Sequence, residues 1–371
     1  MRRRMRLPAG RTGGRGERMS PRERVLRAIR FGCPDRVPIA HSYRPGSLLR
    51  HREKLIEIFR RYPSDFGPSD YSLPASQWKE LQHQKVWVDE WGCRWEERYD
   101  GIQGQPKGFP LEDWARLEAY ALPYVKPASG ERFEEAKARV EERKKEYFVI
   151  GGGDCFFERL QRLRGYSNLL FDLVEGRPEI SILADRLLEY NLAVIDRSLR
   201  LGADAVGFSD DWGTQKQLMI SPALWREFFK PRYKKMFDLV HSAGALVSFH
   251  SDGMILEIVP DLIEIGVDVL NPQFSCMDLP ALAALTKGRI CVRTDIDRQF
   301  ILPFGTPEKM KEYVREIAEI LGDPLGGLIW QGEIGPDVPL ANVEAMFAAF
   351  VEFGDYSRQR EPAGDGVPLA R

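Results

Sequence analysis

The sequence predicts an α/β fold, a single (β/α)8 TIM barrel, and three observations carry that reading. Beyond Glu131, short β-branched or glycine-bounded apolar runs alternate with helical segments to the end of the chain. With two earlier runs the strand candidates number eight, enough for parallel strands to close into a ring. Nearly every one of them ends in a hydrogen-bonding or ionisable residue, as in barrels whose chemistry sits at the carboxyl ends of the strands. An open doubly wound sheet would want a GxGxxG turn, and GGGDC at Gly151 is not one.

The elements follow in order. Residues 1–18 hold seven of the 54 basic and one of the 55 acidic side chains, a composition that reads as a disordered basic tail without the apolar segment of a secretory signal. Ser20-Pro21-Arg22-Glu23 is a capping box with proline at the first helical position, so a helix is expected from there to about Phe31. CPDRVPIAH turns at Pro34 and enters a strand ending near His41; a helix over Ser47 to Arg61 and a weak strand near Asp65 come next. From about 67 to 130 helical periodicity is lost, and KVWVDEWGCRWEERYDG alternates as a hairpin does, which marks an insertion. Its tryptophans Trp78, Trp87, Trp91 and Trp95 either line a ligand mouth or pack the inserted segment. The remaining strands are expected at Tyr147 to Gly151, Asp204 to Phe208, Leu246 to His250, Val267 to Asn271, Ile290 to Arg293 and Gly327 to Trp330. Helices lie between them, notably Ser221 to Ser242, Thr306 to Leu321 and Leu340 to Phe353. The barrel would span 19–356, with 357–371 a second disordered tail.

Composition narrows the function. A chain of 371 residues that is 43% hydrophobic and 29% charged can bury a full core. No window approaches the roughly 18 apolar residues of a membrane helix. Outside the basic tail 47 basic side chains face 54 acidic ones, so neither a nucleic-acid nor a membrane partner is expected. Cys33, Cys93, Cys155, Cys276 and Cys291 are odd in number and lack CxxC spacing, which fits a reducing cytoplasm better than a disulfide framework.

The strand ends supply the candidate site: His41, Asp154, Asp210, Asp211, His250, Asp252, Asn271, Gln273, Asp295, Gln331 and Glu333. Gathering so many acids at one rim raises their pKa values unless a cation or substrate compensates. Taken singly, an acid after a strand can simply cap the next helix. In FHSDG, His250 and Asp252 alternate along an extended segment, so both can face the barrel axis. Imidazole and carboxylate suit zinc or a similar divalent ion, and a catalytic centre wants three protein ligands with an open position. Glu333 is the first candidate for the third ligand and Cys276 the second. The competing role for His250 is hydrogen bonding of a polar substrate, with Asp252 fixing its tautomer.

SPRERVLRAIRFGCPDRVPI, DEWGCRWE, GYSNLLFDL, GADAVGFSDDWGTQ, ISPALWREFFKPRYKKMFDLVHSAGALVSFHSDG, LIEIGVDVLNP and GPDVPLANVEAM together resemble the uroporphyrinogen decarboxylase superfamily, most closely its corrinoid-dependent methyltransferase branch. The resemblance runs from Met19 to about Phe353 and implies a (β/α)8 barrel with its site in the carboxyl-terminal mouth. The decarboxylases carry an RQAGR-type motif after the first strand, where this chain reads AHSYRPG with Arg44 alone, and a GHG-type histidine where it has Gly332. The zinc methyltransferases carry His-x-Cys and a later cysteine. Here the histidine is His250, the first cysteine position is Asp252, and the later one falls near Gln331 to Glu333. An oxygen-rich set makes a harder, more Lewis-acidic ion suited to an ether oxygen or a methylamine nitrogen.

The resemblance therefore implies a methyltransferase acting between a small methoxylated or methylated compound and a corrinoid protein. Zinc is the expected ion, at His250, Asp252 and Glu333, and the corrinoid would come on the partner because no DxHxxG-type motif is present. Asp210, Asp211 and Gln215 would contact the substrate or the corrinoid edge, Asp211 sharing in catalysis with His250 and Asp252. Asn271 and Gln273 would supply neutral hydrogen bonds, Asp154 would support the site, and His41, Tyr43 and Arg44 would reach in from the first strand. A monomer or homodimer in the cytoplasm is expected. The alternatives are decarboxylation in porphyrin biosynthesis and a non-catalytic binding protein that kept the barrel.

Overall fold

The computed structural model describes residues 19–68, 86–97 and 104–356. The two expected tails and Trp78 lie outside the described residues. Six strands form one parallel sheet: β5 (Ile150–Gly152), β6 (Ala205–Ser209), β7 (Leu246–Ser251), β8 (Val269–Pro272), β9 (Cys291–Arg293) and β10 (Leu328–Ile329), each beside the next. Beyond β10 the ring continues through the first strand. The Trp330 N–H donates to the Pro38 carbonyl and the Ala40 N–H to the Trp330 carbonyl, both at 2.8 Å, and β1 (Ser42–Tyr43) pairs in parallel with β11 (Glu333–Ile334). The Asp65 N–H then reaches the Ile39 carbonyl at 2.8 Å, which sets the second strand position beside the first. From there to β5 the described contacts are made by side chains: Phe66 packs edge-on against Phe148, and Arg143 Nη2 donates to the Phe66 carbonyl at 2.8 Å. This is the (β/α)8 barrel that the alternation predicts.

The amino-terminal end of the ring is plugged. Ser20 Oγ accepts from the Glu23 N–H at 3.2 Å and starts the helix Pro21–Arg30. Glu23 turns forward to Arg27, so only one half of the capping box forms. This helix buries Val25 and Ile29 against Ala40, Phe148, Ala205, Val269, Cys291 and Ile329, the inward residues of the lower barrel. Arg24 and Arg36 both pair with the buried Asp65, which ties the plug and the first strand to the second.

Local chemistry accounts for the departures from expectation. The helix foreseen from Ser47 to Arg61 is two, Pro45–His51 and Glu53–Arg61, broken at Arg52, whose φ is 47°. Ser221 caps as expected, but Trp225–Phe229 is a π-type turn ahead of the helix Lys230–Ser242. Pro231 has no N–H to continue an α-helical ladder there. The insertion holds the hairpin β2 (Val86–Val88) and β3 (Arg94–Glu96), extended by an unforeseen β4 (Gln105–Gly108). Trp91 is buried against Tyr190 and Arg159 of the barrel helices and Trp87 stacks on buried Trp95, so these tryptophans pack the insertion and fasten it to the barrel rather than line the mouth.

Candidate active site in the barrel mouth

The two-residue period of the strands decides which polar groups reach the mouth. Along β7, Leu246 packs with the inner cluster while Val247 and Phe249 pack outward against the helices, so His250 falls on the inner face. By the same count Asn271 on β8 follows inward Val269, and Arg293 on β9 follows inward Cys291.

His250 is fixed from behind. Its Nδ1 lies 3.0 Å from both the carbonyl and Oδ1 of Asn271, and since both partners are acceptors, Nδ1 carries the hydrogen. Nε2 therefore faces the mouth, 3.3 Å from Oδ1 of Asp252 and 3.8 Å from Oδ1 of Asp211. The Asp252 contact is not aligned as a hydrogen bond, and that oxygen is buried without one. Ligand atoms of Asp211, His250 and Asp252 all lie within 4.8 Å of one another. Burial disfavours charge on the imidazole, but Asp252 and Asp211 outweigh it and leave the pKa above its ordinary value. Burial likewise opposes the charge of Asp252, yet His250 and Arg298 hold its pKa down to about 2.

The loops carrying the two carboxylates are locked together. The Asp252 N–H donates to Asp211 Oδ1 at 3.0 Å, the Gly213 N–H to the Asp252 carbonyl at 3.1 Å, and the Gly253 N–H to Gln273 Oε1 at 2.9 Å. Gly253 has a φ of +78°, and a Cβ there would stand 2.1 Å from the Gly213 carbonyl oxygen, so only glycine fits this crossing. Above it opens a cavity of about 530 Å³ lined by Arg44, Asp211, Thr214, Gln215, Asp252, Gln273, Arg298 and Gln299 among others, a size suited to a small molecule.

Three expected members are elsewhere. His41 faces outward, stacked on Phe59 with its Nε2 at 2.6 Å from the Tyr62 carbonyl oxygen, and burial lowers its pKa to about 4. Asp210 is also outward and fully buried. It accepts from the N–H groups of Phe156 and Glu158 and from the Tyr233 hydroxyl, so it caps the helix Phe157–Arg164. Cys155 and Glu158 approach it closely enough to form a second ligand-like group, but three donors already engage its oxygens. Asp154 pairs with Arg159 at 3.0 Å. Two of the three placements were legible: the alternation that puts His250 inside puts His41 and Asp210 outside, whereas Asp154 is drawn off by Arg159.

Glu333 lies in the mouth without joining the cluster. Arg44 Nε and Nη2 both sit 2.8 Å from its Oε1, and Arg298 Nη1 is at 3.2 Å. Asp211 takes the third corner instead. The rim is also less acidic than a lone Arg44 implied. Arg298 contacts Asp252 Oδ2, and half-buried Arg293 reaches Asn271 Oδ1 at 3.4 Å. Asp295 sits behind Arg298, and burial raises its pKa to about 7 although Arg298 opposes the rise. Arg298 lies in a loop with no pattern of its own, and only the acids it must neutralise hinted that such a residue was needed. Cys276 stands near, its thiol 3.5 Å from Gln215 Oε1, outside the three-residue cluster.

Fold and mouth together define a class: a (β/α)8 barrel with an ionisable, small-molecule-sized site at the carboxyl ends of its strands. The chain belongs to the uroporphyrinogen decarboxylase (URO-D) family, a family of enzymes, whose sequence profile matches residues 107–353. It is 26% identical over 203 residues to a uroporphyrinogen decarboxylase from Magnetococcus marinus, covering 52% of this chain and 55% of that protein. To the uroporphyrinogen decarboxylase of Pseudomonas savastanoi pv. phaseolicola it is 23% identical over 213 residues, 56% of this chain and 55% of the relative. The chain thus spans about half the length of the curated relatives it matches. Among solved structures, a methyltransferase from Methanosarcina mazei superposes with a TM-score of 0.64 at 18% identity, over 91% of this chain and 99% of that one, a likeness of fold. No helix among the described residues is long and apolar enough to cross a membrane.

Proposed function

We propose that the protein transfers a methyl group between a small methoxylated or methylated compound and a corrinoid carried by a separate protein, with zinc or a similar divalent ion held by Asp211, His250 and Asp252. One observation carries the reading: the three side chains converge in the mouth, with the histidine anchored through Nδ1 and a buried oxygen of Asp252 facing its Nε2 without an aligned hydrogen bond. An ion bound there supplies a Lewis acid that offsets negative charge on the leaving oxygen or nitrogen. The neutral groups Thr214, Gln215, Gln273 and Gln299 orient the compound in the cavity. Asn271 holds the imidazole, and the loop crossing at Gly213 and Gly253 keeps the two carboxylates in register. The transfer would break the bond from methyl carbon to oxygen or nitrogen, with the reduced corrinoid of the partner protein supplying the electron pair that takes up the methyl group and the leaving atom keeping the pair of the broken bond and taking a proton. Without an ion, His250 can hold that proton at Nε2, where two carboxylates favour it.

The test is incubation of purified protein with methoxylated aromatics or methylamines and reduced cobalamin, followed by its visible spectrum. Donor-dependent methylation that is lost in His250→Ala supports the proposal. A second reading, decarboxylation of uroporphyrinogen, is favoured by the names of the two sequence relatives and by the second arginine in the mouth. Carboxyl loss from uroporphyrinogen with no methylation from any donor would establish it instead.

A further inference from the structure

Arg298 enters the mouth from the loop after β9 with a side chain only 17% exposed, and three carboxylates surround it. Its guanidinium contacts Asp252 Oδ2, stands 3.2 Å from Glu333 Oε1 and 3.8 Å from Asp295 Oδ2. Arg44 holds the same Oε1 of Glu333, so that carboxylate is shared between the two arginines. The opposite oxygen of Asp252, Oδ1, faces Nε2 of His250 and has no hydrogen-bond partner. The backbone of Asp252 is pinned at both ends, its N–H by Asp211 and its carbonyl by Gly213, so the orientation of the carboxylate rests on its own side-chain torsions and on the Arg298 contact.

A carboxylate can ligate an ion through one oxygen or through both. Resting on the metal site proposed above, we infer that Arg298 is a positioning residue that occupies Asp252 Oδ2, restricts Asp252 to single-oxygen ligation and thereby keeps a coordination position open for the substrate's heteroatom. A two-oxygen Asp252 would fill that position from the protein side. Arg298 also places positive charge near the ion, so its removal raises affinity both by relieving repulsion and by freeing the second oxygen, and affinity alone does not separate the two. Coordination number, which geometry reports, is the quantity that separates this role from a general electrostatic one.

Cobalt(II) loaded into the wild type, Arg298→Ala and Arg298→Lys, with thermal unfolding recorded alongside, reads it out. The wild type and Arg298→Lys, which returns a cation within reach of Oδ2, are expected to share an intense visible band. Arg298→Ala is expected to lose about threefold or more of that extinction per bound cobalt as Asp252 closes on the ion with both oxygens. If Arg298→Ala does not fold, Arg298→Met removes the same donor while keeping most of the side-chain volume. A wild-type spectrum in the loaded alanine or methionine variant would overturn the inference and leave the metal site standing. Failure of the wild type to bind cobalt would overturn both.

Discussion

Replacing Asn271 by leucine separates what holds the floor of the mouth from what would bind there. The side chain is 3% exposed, and leucine reproduces its shape without its polar atoms. Nδ2 donates to the carbonyls of Arg293 at 2.9 Å and Thr294 at 3.1 Å, so the substitution strips a donor from two acceptors at the end of β9. A buried acceptor left unpaired costs about 1–3 kcal/mol, and two give an expected loss of roughly 2–6 kcal/mol in urea unfolding at constant m value. The imidazole keeps one of its two acceptors, because the Asn271 main-chain carbonyl remains 3.0 Å from Nδ1. Zinc affinity is then expected to fall by about 10–100-fold, the range for groups that orient a ligand, rather than to vanish. A stability change under about 1 kcal/mol would refute the hydrogen-bond argument, since the orphaned carbonyls would then have found other partners.

Three other outcomes follow from the same geometry. His41 stays neutral in the folded protein down to about pH 4 while the unfolded chain protonates below about 6.5, so stability falls as pH drops through that window. The loss amounts to about 3 kcal/mol; His41→Leu should flatten that acid limb in unfolding measured from pH 7 to 4, and an unchanged slope would contradict the assignment. Asp295 behaves in the opposite sense: the native group keeps its proton to about 7 whereas the ordinary value is 3.8, so its contribution is complete below 3.8 and is lost as pH rises through 7. Asp295→Asn should gain on the wild type by up to about 4 kcal/mol between pH 4 and 8, and a constant gap would exclude the buried neutral acid. Gly253→Ala should cost more than the ~1–2 kcal/mol of a left-handed residue alone, because its Cβ meets the Gly213 carbonyl; a smaller shift in melting temperature would mean that the crossing is loose.

The barrel and the inward pair His250 and Asp252 were readable because both depend on local periodicity, which one strand displays by itself. The alternation placed Asn271 as well, and applied to the first and fourth barrel strands it excludes His41 and Asp210. The third corner was not readable in this way. Asp211 and Glu333 each follow a strand, and only the crossing of the loops at Gly213 and Gly253 brings Asp211 to the histidine while Arg44 and Arg298 draw Glu333 away. The Arg298 position depends on a loop trajectory set by contacts with residues more than 30 positions away in the chain, and short-range pattern carries no trace of those.

The most direct measurement is zinc stoichiometry and affinity for the wild type beside Asp211→Ala, His250→Ala, Asp252→Ala and Glu333→Ala, each checked for folding. One zinc per wild-type chain is expected, with a loss of about 100-fold or more in each of the first three variants and less than about 10-fold in Glu333→Ala. A wild type that binds no zinc, or a Glu333 variant as impaired as the His250 variant, would contradict the account.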